Sequence, residues 1–319
     1  MSGISVLVPS FNHEPYVERT LRSIFSQSLL PSELIVIDDG SDDNSVETIE
    51  RVLNESPINC RLISRENQGL PKTLNEGIAM CKGEFFAYLG SDDIWLPGFL
   101  KDRLALLHKH PDSCLAFGDG YTIDENDWII GTPENTVDFE GSPLEFLRRG
   151  IVFQSPGVVY RRKLLPEKPW NEESALEDFD LYLRLAETSD FSFSRNSLSA
   201  WRVHGSNTSS NLPKLFAEFM KAHGAALERS SLDHDLKMSL TNKVWFEAGF
   251  NFIRQGYRKE AFEILAGNMS GADSIFRIFD LALRIAIPRR IFKWNQERKL
   301  ERMRLKHGKI QDVGEGIVK

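Results

Sequence analysis

Residues 83–97 read "GEFFAYLGSDDIWLP". An apolar run stops at Ser91-Asp92-Asp93, and Ile94 and Trp95 follow at once. The pattern is that of a buried strand ending on two adjacent carboxylates. Unpaired anions there would cost several kcal/mol each, so a cation, a helix N-terminus or open solvent has to compensate. Taken alone, the same letters fit a helix N-cap with acids in the first turn. The rest of the chain decides between the two.

Upstream, "ISVLVPSF" (4–11) is short, apolar and β-branched, as a buried strand is. "EPYVERTLRSIFSQ" (14–27) follows with Val17, Leu21, Ile24 and Phe25 at helical spacing. "SELIVIDDGSDD" (32–43) predicts a second strand ending in acids, and "NSVETIERVL" (44–53) a second helix. "CRLISREN" (60–67) and "GLPKTLNEGIAMC" (69–81) repeat the alternation before 83–93 closes it with a fourth strand. Alternating strands and helices imply an α/β fold with a mostly parallel sheet, Rossmann-like, flanked by helices. Polar groups recur at the C-terminal ends of these strands: Ser10 and Asn12, Asp38 and Asp39, Asn67, Asp92 and Asp93. In open α/β sheets ligands bind at that edge. The aspartate pair is therefore expected to face a site.

Beyond Pro97 the alternation weakens. "ALEDFDLYLRLAET" (175–188) reads as a helix with Asp178 in its first turn, and Asp180 and Arg184 are spaced as a surface pair. From about residue 212 the pattern is helical throughout. The chain has 319 residues, 41% of them hydrophobic, which suits one large domain or a domain with an extension. No apolar stretch reaches spanning length, and the start lacks the basic region of a signal peptide. Cys60, Cys81 and Cys114 have no paired spacing and are expected to be reduced thiols in a cytoplasmic protein, not zinc ligands. The net charge of −7 conceals an asymmetry: residues 1–210 hold 33 acids against 19 Lys and Arg, and 211–319 hold 13 against 20. The acidic part should not hold nucleic acid.

Six stretches together resemble family 2 glycosyltransferases of the GT-A fold: "SVLVPSFNHEPYVERTLRSIFSQ", "ELIVIDDGSDDNS", "NQGLPKTLNEGI", "GEFFAYLGSDDIWLP", "LEDFDLYLRL" and "WRVHGSNTS". The resemblance covers about residues 3–210. It implies a catalytic domain over 1–211 and a helical C-terminal extension over 212–319. It also implies an inverting transfer from a nucleoside diphosphate sugar, UDP-linked, to a saccharide or lipid-linked saccharide acceptor in bacterial surface polysaccharide synthesis. By this resemblance Pro9, Ser10, Asn12 and Glu14 line the nucleoside pocket, Asp39 accepts from the base, Lys72 approaches the diphosphate and Asp92 touches the ribose or a metal-bound water. Asp93 is the expected ligand of Mg²⁺ or Mn²⁺, with His204 completing the shell. Many relatives carry a further aspartate two residues before the pair, where this chain has Gly90. Asp178 matches the general base, with Glu177 orienting it or holding the acceptor. Read locally, Lys72 also fits a solvated helix lysine, His204 a structural histidine, and residues 38–42 a plain turn.

Two other functions are weighed. A sugar-nucleotide nucleotidyltransferase would want a Gly-rich, Arg-containing loop after the first strand, and "PSFNHEPY" (9–16) has none. A non-catalytic sugar-nucleotide-binding module need not keep both Asp93 and Asp178. Residues 274–294, "SIFRIFDLALRIAIPRRIFKW", are apolar on most faces and run into a basic segment. They suit either a helix packed on the catalytic domain or peripheral attachment to an anionic inner leaflet.

Overall fold

β1 (Ile4–Ser10) is buried along its whole length. Its alternate residues serve two cores: Val6 and Val8 face one side of the sheet, and Leu7 faces the other. This double burial is what an unbroken apolar strand requires. In the computed structural model, which describes residues 3–133, 153–205 and 212–318, β1 pairs in parallel with β2 (Glu33–Asp38) and β4 (Phe85–Tyr88), and β2 with β3 (Cys60–Ser64). Helices α1 (Glu14–Phe25), α2 (Ser45–Leu53) and α3 (Leu70–Met80) connect them. Pro15 and Pro71 sit in the first turns of α1 and α3, where a missing N–H leaves no bond unmade.

The second half adds β5 (Ile94–Trp95), α4 (Phe99–Lys109), β6 (Ser113–Ile123), β7 (Ile129–Gly131), β8 (Val159–Arg161), α5 (Glu177–Ala186) and β9 (Asp190–Arg202). The sheet order is β3-β2-β1-β4-β8-β6-β9-β5, with β7 on β6. The parallel arrangement read from the sequence holds across β3-β2-β1-β4 and returns between β6 and β9. β8 runs antiparallel to β4 and β6, and β5 antiparallel to β9, so the sheet is mixed. Trp95 belongs to the core: it is 1% exposed, stacks on Phe99 at 4.4 Å and donates from Nε1 to the Pro156 carbonyl at 2.7 Å.

Helices follow from Leu212: α6 (Leu212–Arg229), α7 (His234–Arg254), α8 (Arg258–Gly267), α9 (Ile275–Ala286), α10 (Arg289–His307) and α11 (Ile310–Val318). Asp233 caps α7 by accepting from Leu236 N at 2.8 Å. Phe246, Phe250, Phe252, Ile264 and Leu281 form a third core here. The helices also touch the sheet domain. Phe219 of α6 stacks on Phe179 of α5 at 4.3 Å. Arg304 of α10 pairs with Asp124 at 2.6 Å, and Ile310 is buried in the first core. Among the described residues, no helix is long and apolar enough to cross a membrane.

Candidate active site

The parallel strands deliver their polar ends to one edge. A cleft of about 400 Å³ opens there, lined by Pro9, Ser10, Asn12, His13, Asp39, Thr73 and Asp92 among others. Its walls are two loops stapled together. Asp38 accepts from Ser41 N at 2.9 Å and from Ser41 Oγ at 2.6 Å, closing the turn after β2. Gly40 carries that turn with φ +84°, and a Cβ there would come within 2.7 Å of Asn67 N. Asn12, itself at φ 54°, donates its N–H to Ser41 Oγ at 2.8 Å and accepts from Asp42 N at 2.8 Å.

Asp39 is aimed by three donors: Gln68 N at 2.9 Å, Gly69 N at 2.8 Å and the Arg65 guanidinium. A carboxylate has about four lone-pair positions, so one remains for a ligand. Ser10 Oγ is buried in the cleft wall without a hydrogen-bond partner among the described residues. Buried hydroxyls are normally paired, and a ligand in the cleft would satisfy this one. Glu14 and Lys72 are exposed and lie outside the lining; the Glu14 backbone N–H bonds Asp43 at 3.0 Å.

At one end of the cleft His13, Asp92 and His204 converge, with one ligand atom from each lying within 4.8 Å of the others. His204 Nε2 is 2.9 Å from Asp92 Oδ2, and His13 Nδ1 is 3.9 Å from Asp92 Oδ1 and 2.8 Å from Ser91 Oγ. Burial lowers the His13 pKa against the opposing pull of Asp92, which favours the neutral, ligating imidazole. Burial pushes Asp92 upward, but the His204 hydrogen bond and the histidine charges prevail and hold it below the usual carboxylate range. One carboxylate oxygen with two imidazole nitrogens fits Mn²⁺, and suits Mg²⁺ less, since Mg²⁺ prefers oxygen throughout.

Asp93 lies outside this cluster. Its Oδ1 accepts from Arg202 N at 2.8 Å, and burial followed by the Asp92 charge raises its pKa well above the ordinary value. Both carboxylates border the space beside Gly90. A Cβ at Gly90 would stand 2.9 Å from Asp92 Oδ1 and 3.1 Å from Asp93 Oδ2. Arg202 is the buried brace behind the pair. It bonds the Asp92 carbonyl at 2.7 Å and Asp127 at 2.7 Å, and stacks over Tyr16 at 4.9 Å.

Asp178 is reached from the same strand. Tyr88, the last residue of β4, donates its hydroxyl to Asp178 Oδ2, and Trp170 Nε1 donates to Oδ1 at 3.0 Å. The carboxylate does not cap its helix, where Leu176 holds the N-cap position without a side-chain bond. Burial raises the Asp178 pKa, opposed by the Tyr88, Trp170 and Ser155 hydrogen bonds. Burial and the Asp178 charge push Glu177 up to about 8, opposed by a bond from its own backbone N–H. Asp180 bonds Arg184 at 2.8 Å, the i,i+4 pair read from the sequence.

A family model described as "Glycosyl transferase family 2" matches residues 5–167, just over half of the 319. The chain belongs to glycosyltransferase family 2. This glycosyltransferase is 27% identical over 213 residues to an uncharacterized glycosyltransferase of Nostoc sp., covering 64% of this chain and 66% of that one. It is 23% identical over 213 residues to the chondroitin synthase of Escherichia coli, covering 65% and 30%. The match thus spans less than two thirds of either relative. TarS 1-349 of S. aureus in complex with UDP-GlcNAc superposes with a TM-score of 0.58 at 19% identity, over 95% of this chain and 89% of that one. The last likeness establishes the GT-A fold, helical region included.

Four residues of this glycosyltransferase's site were not singled out in the sequence: His13, Tyr88, Trp170 and Arg202. His13 had a usable signal, since it follows Ser10 and Asn12 at the ligand edge. Tyr88 meets Asp178 only through packing of β4 against α5, and Trp170 reaches it from the segment before α5, eight residues upstream.

Proposed function

We propose that this glycosyltransferase moves a sugar from a nucleoside diphosphate donor, UDP-linked, to a hydroxyl of a saccharide or lipid-linked saccharide acceptor, with inversion. Residues 1–211 are the catalytic unit and 212–319 a helical appendage. The observation that carries the reading is the cluster of His13, Asp92 and His204, of which His13 and Asp92 line the same cleft as Ser10 and Asp39. Asp39 and Ser10 take the nucleoside, with Pro9 and Asn12 shaping the pocket. Glu14 and Lys72, both exposed, are within the reach of a longer donor only from the rim. Asp92, His204 and His13 would hold Mg²⁺ or Mn²⁺, which would supply positive charge to the diphosphate leaving group. Asp93 shapes that site through Arg202.

Asp178 acts as general base. Its Oδ takes the acceptor hydroxyl proton while that oxygen bonds the anomeric carbon. The bond to the diphosphate breaks with its electron pair going to the phosphate oxygen. Attack opposite the leaving group inverts the centre. Burial raises the Asp178 pKa above the ordinary carboxylate value, which makes it a stronger base. The proton-donating Tyr88 and Trp170 keep the carboxylate in place and stabilise its ionised form. The three free cysteines suit a reducing, cytoplasmic setting. The similarity to chondroitin synthase supports a polysaccharide acceptor. Nucleotide release from a panel of sugar nucleotides, with Mn²⁺ and with chelator, tests this. Metal-dependent release from one UDP-sugar with a saccharide acceptor is expected; no release from any donor would refute it.

A further inference from the structure

We propose that the exposed face of α9, with the first half of α10, docks the protein peripherally on an anionic phospholipid surface. α9 is apolar on two sides. Ile278, Leu281 and Ile285 pack into the third core. Phe276, Phe279 and Leu283, spaced i, i+3 and i+7, stand on the other side, 79%, 67% and 61% exposed. The two arginines of α9 do not cover this stripe: Arg277 pairs with Glu247 at 2.6 Å and lies over Phe250 at 4.2 Å, and Arg284 pairs with Asp280 at 2.8 Å.

The next helix names the occupant. α10 carries eight Lys and Arg against Glu297 and Glu301. Near its start Ile291 and Trp294 are 49% and 53% exposed, with the Arg298 guanidinium 4.6 Å from the Trp294 ring centre. An apolar stripe, an interfacial aromatic and a basic helix in succession match a negatively charged bilayer surface. A second copy of this chain would bring an equally basic α10 against the first and be repelled. Apolar burial by so short a helix binds weakly alone, and the basic residues supply the rest. From Trp294, α10 runs about 15 Å to Arg304, which pairs with Asp124. The docked helix thus stays tied to the catalytic unit.

Co-sedimentation of the full chain with phosphatidylcholine vesicles, with and without phosphatidylglycerol, tests this without requiring sugar transfer. Binding only to the anionic vesicles, weakened by salt, is expected. Phe276→Ser/Phe279→Ser/Leu283→Ser should lower partitioning by about tenfold or more without lowering the melting temperature. Arg290→Gln/Lys293→Gln/Arg298→Gln should lower it on the order of 100-fold. Equal partitioning of the serine variant and wild type, or binding indifferent to lipid charge, would overturn the proposal. So would a solution dimer that the serine variant dissociates, with no vesicle binding by either.

Discussion

Tyr88 donates its hydroxyl to Asp178 across 90 positions of the sequence. The bond joins the end of a central strand to the first turn of α5, and it fixes one oxygen of the candidate base. Tyr88→Phe removes a donor and leaves a buried carboxylate position unpaired, which costs about 1–3 kcal/mol. The acid limb of the kcat/KM profile should move to higher pH, because the ionised form loses a hydrogen bond. An unmoved limb would mean that Tyr88 does not serve the base.

Asp178→Asn keeps the shape and cannot accept the proton. Turnover should fall by about 10²–10⁴-fold while donor affinity, measured calorimetrically, stays the same. Glu177→Gln should cost less.

Glu177 also makes a stability prediction. Its carboxyl is raised from 4.5 to about 8 in the fold. Between those values the native state keeps a proton that the unfolded chain has lost. Stability therefore falls as pH rises through that window. Melting curves from pH 5 to pH 8 should show the decline, and Glu177→Gln should flatten it. A wild-type curve that rises over the window would contradict the assignment.

The proposed roles divide the labour of the carboxylate pair. Asp92→Asn and His204→Ala should each weaken Mn²⁺ binding by about 10–100-fold or more, read by titration calorimetry. Asp93→Asn should leave Mn²⁺ affinity nearly intact, since an amide oxygen still accepts from Arg202 N. Gly90→Ala crowds Asp92 Oδ1, where the added Cβ would lie at 2.9 Å. It should weaken the metal without changing any ligand. Equal losses for Asp92→Asn and Asp93→Asn would undo this division.

Much of this was legible in the sequence. Period and punctuation reveal β1 to β4 and their helices, because each is locally consistent. The same strand-end logic points to Ser10, Asn12, Asp39 and Asp92. What is not legible arises from long-range packing. β5 and β9 pair across 104 or more residues, and Arg202 reaches the Asp92 carbonyl over 110. Which of two adjacent aspartates turns toward His204 depends on a backbone bond from β9 that no spacing records. The apolar run in 275–286 allows a core helix or a surface one. Its three-dimensional neighbours make one face core and leave the other exposed.

The most direct test of a single displacement by Asp178 is the anomeric configuration of the product. The wild-type enzyme, supplied with the proposed donor as an α-linked UDP-sugar and with acceptor, should form a β-linkage, read from the proton coupling constant at the new anomeric centre. An α-linked product would contradict the mechanism.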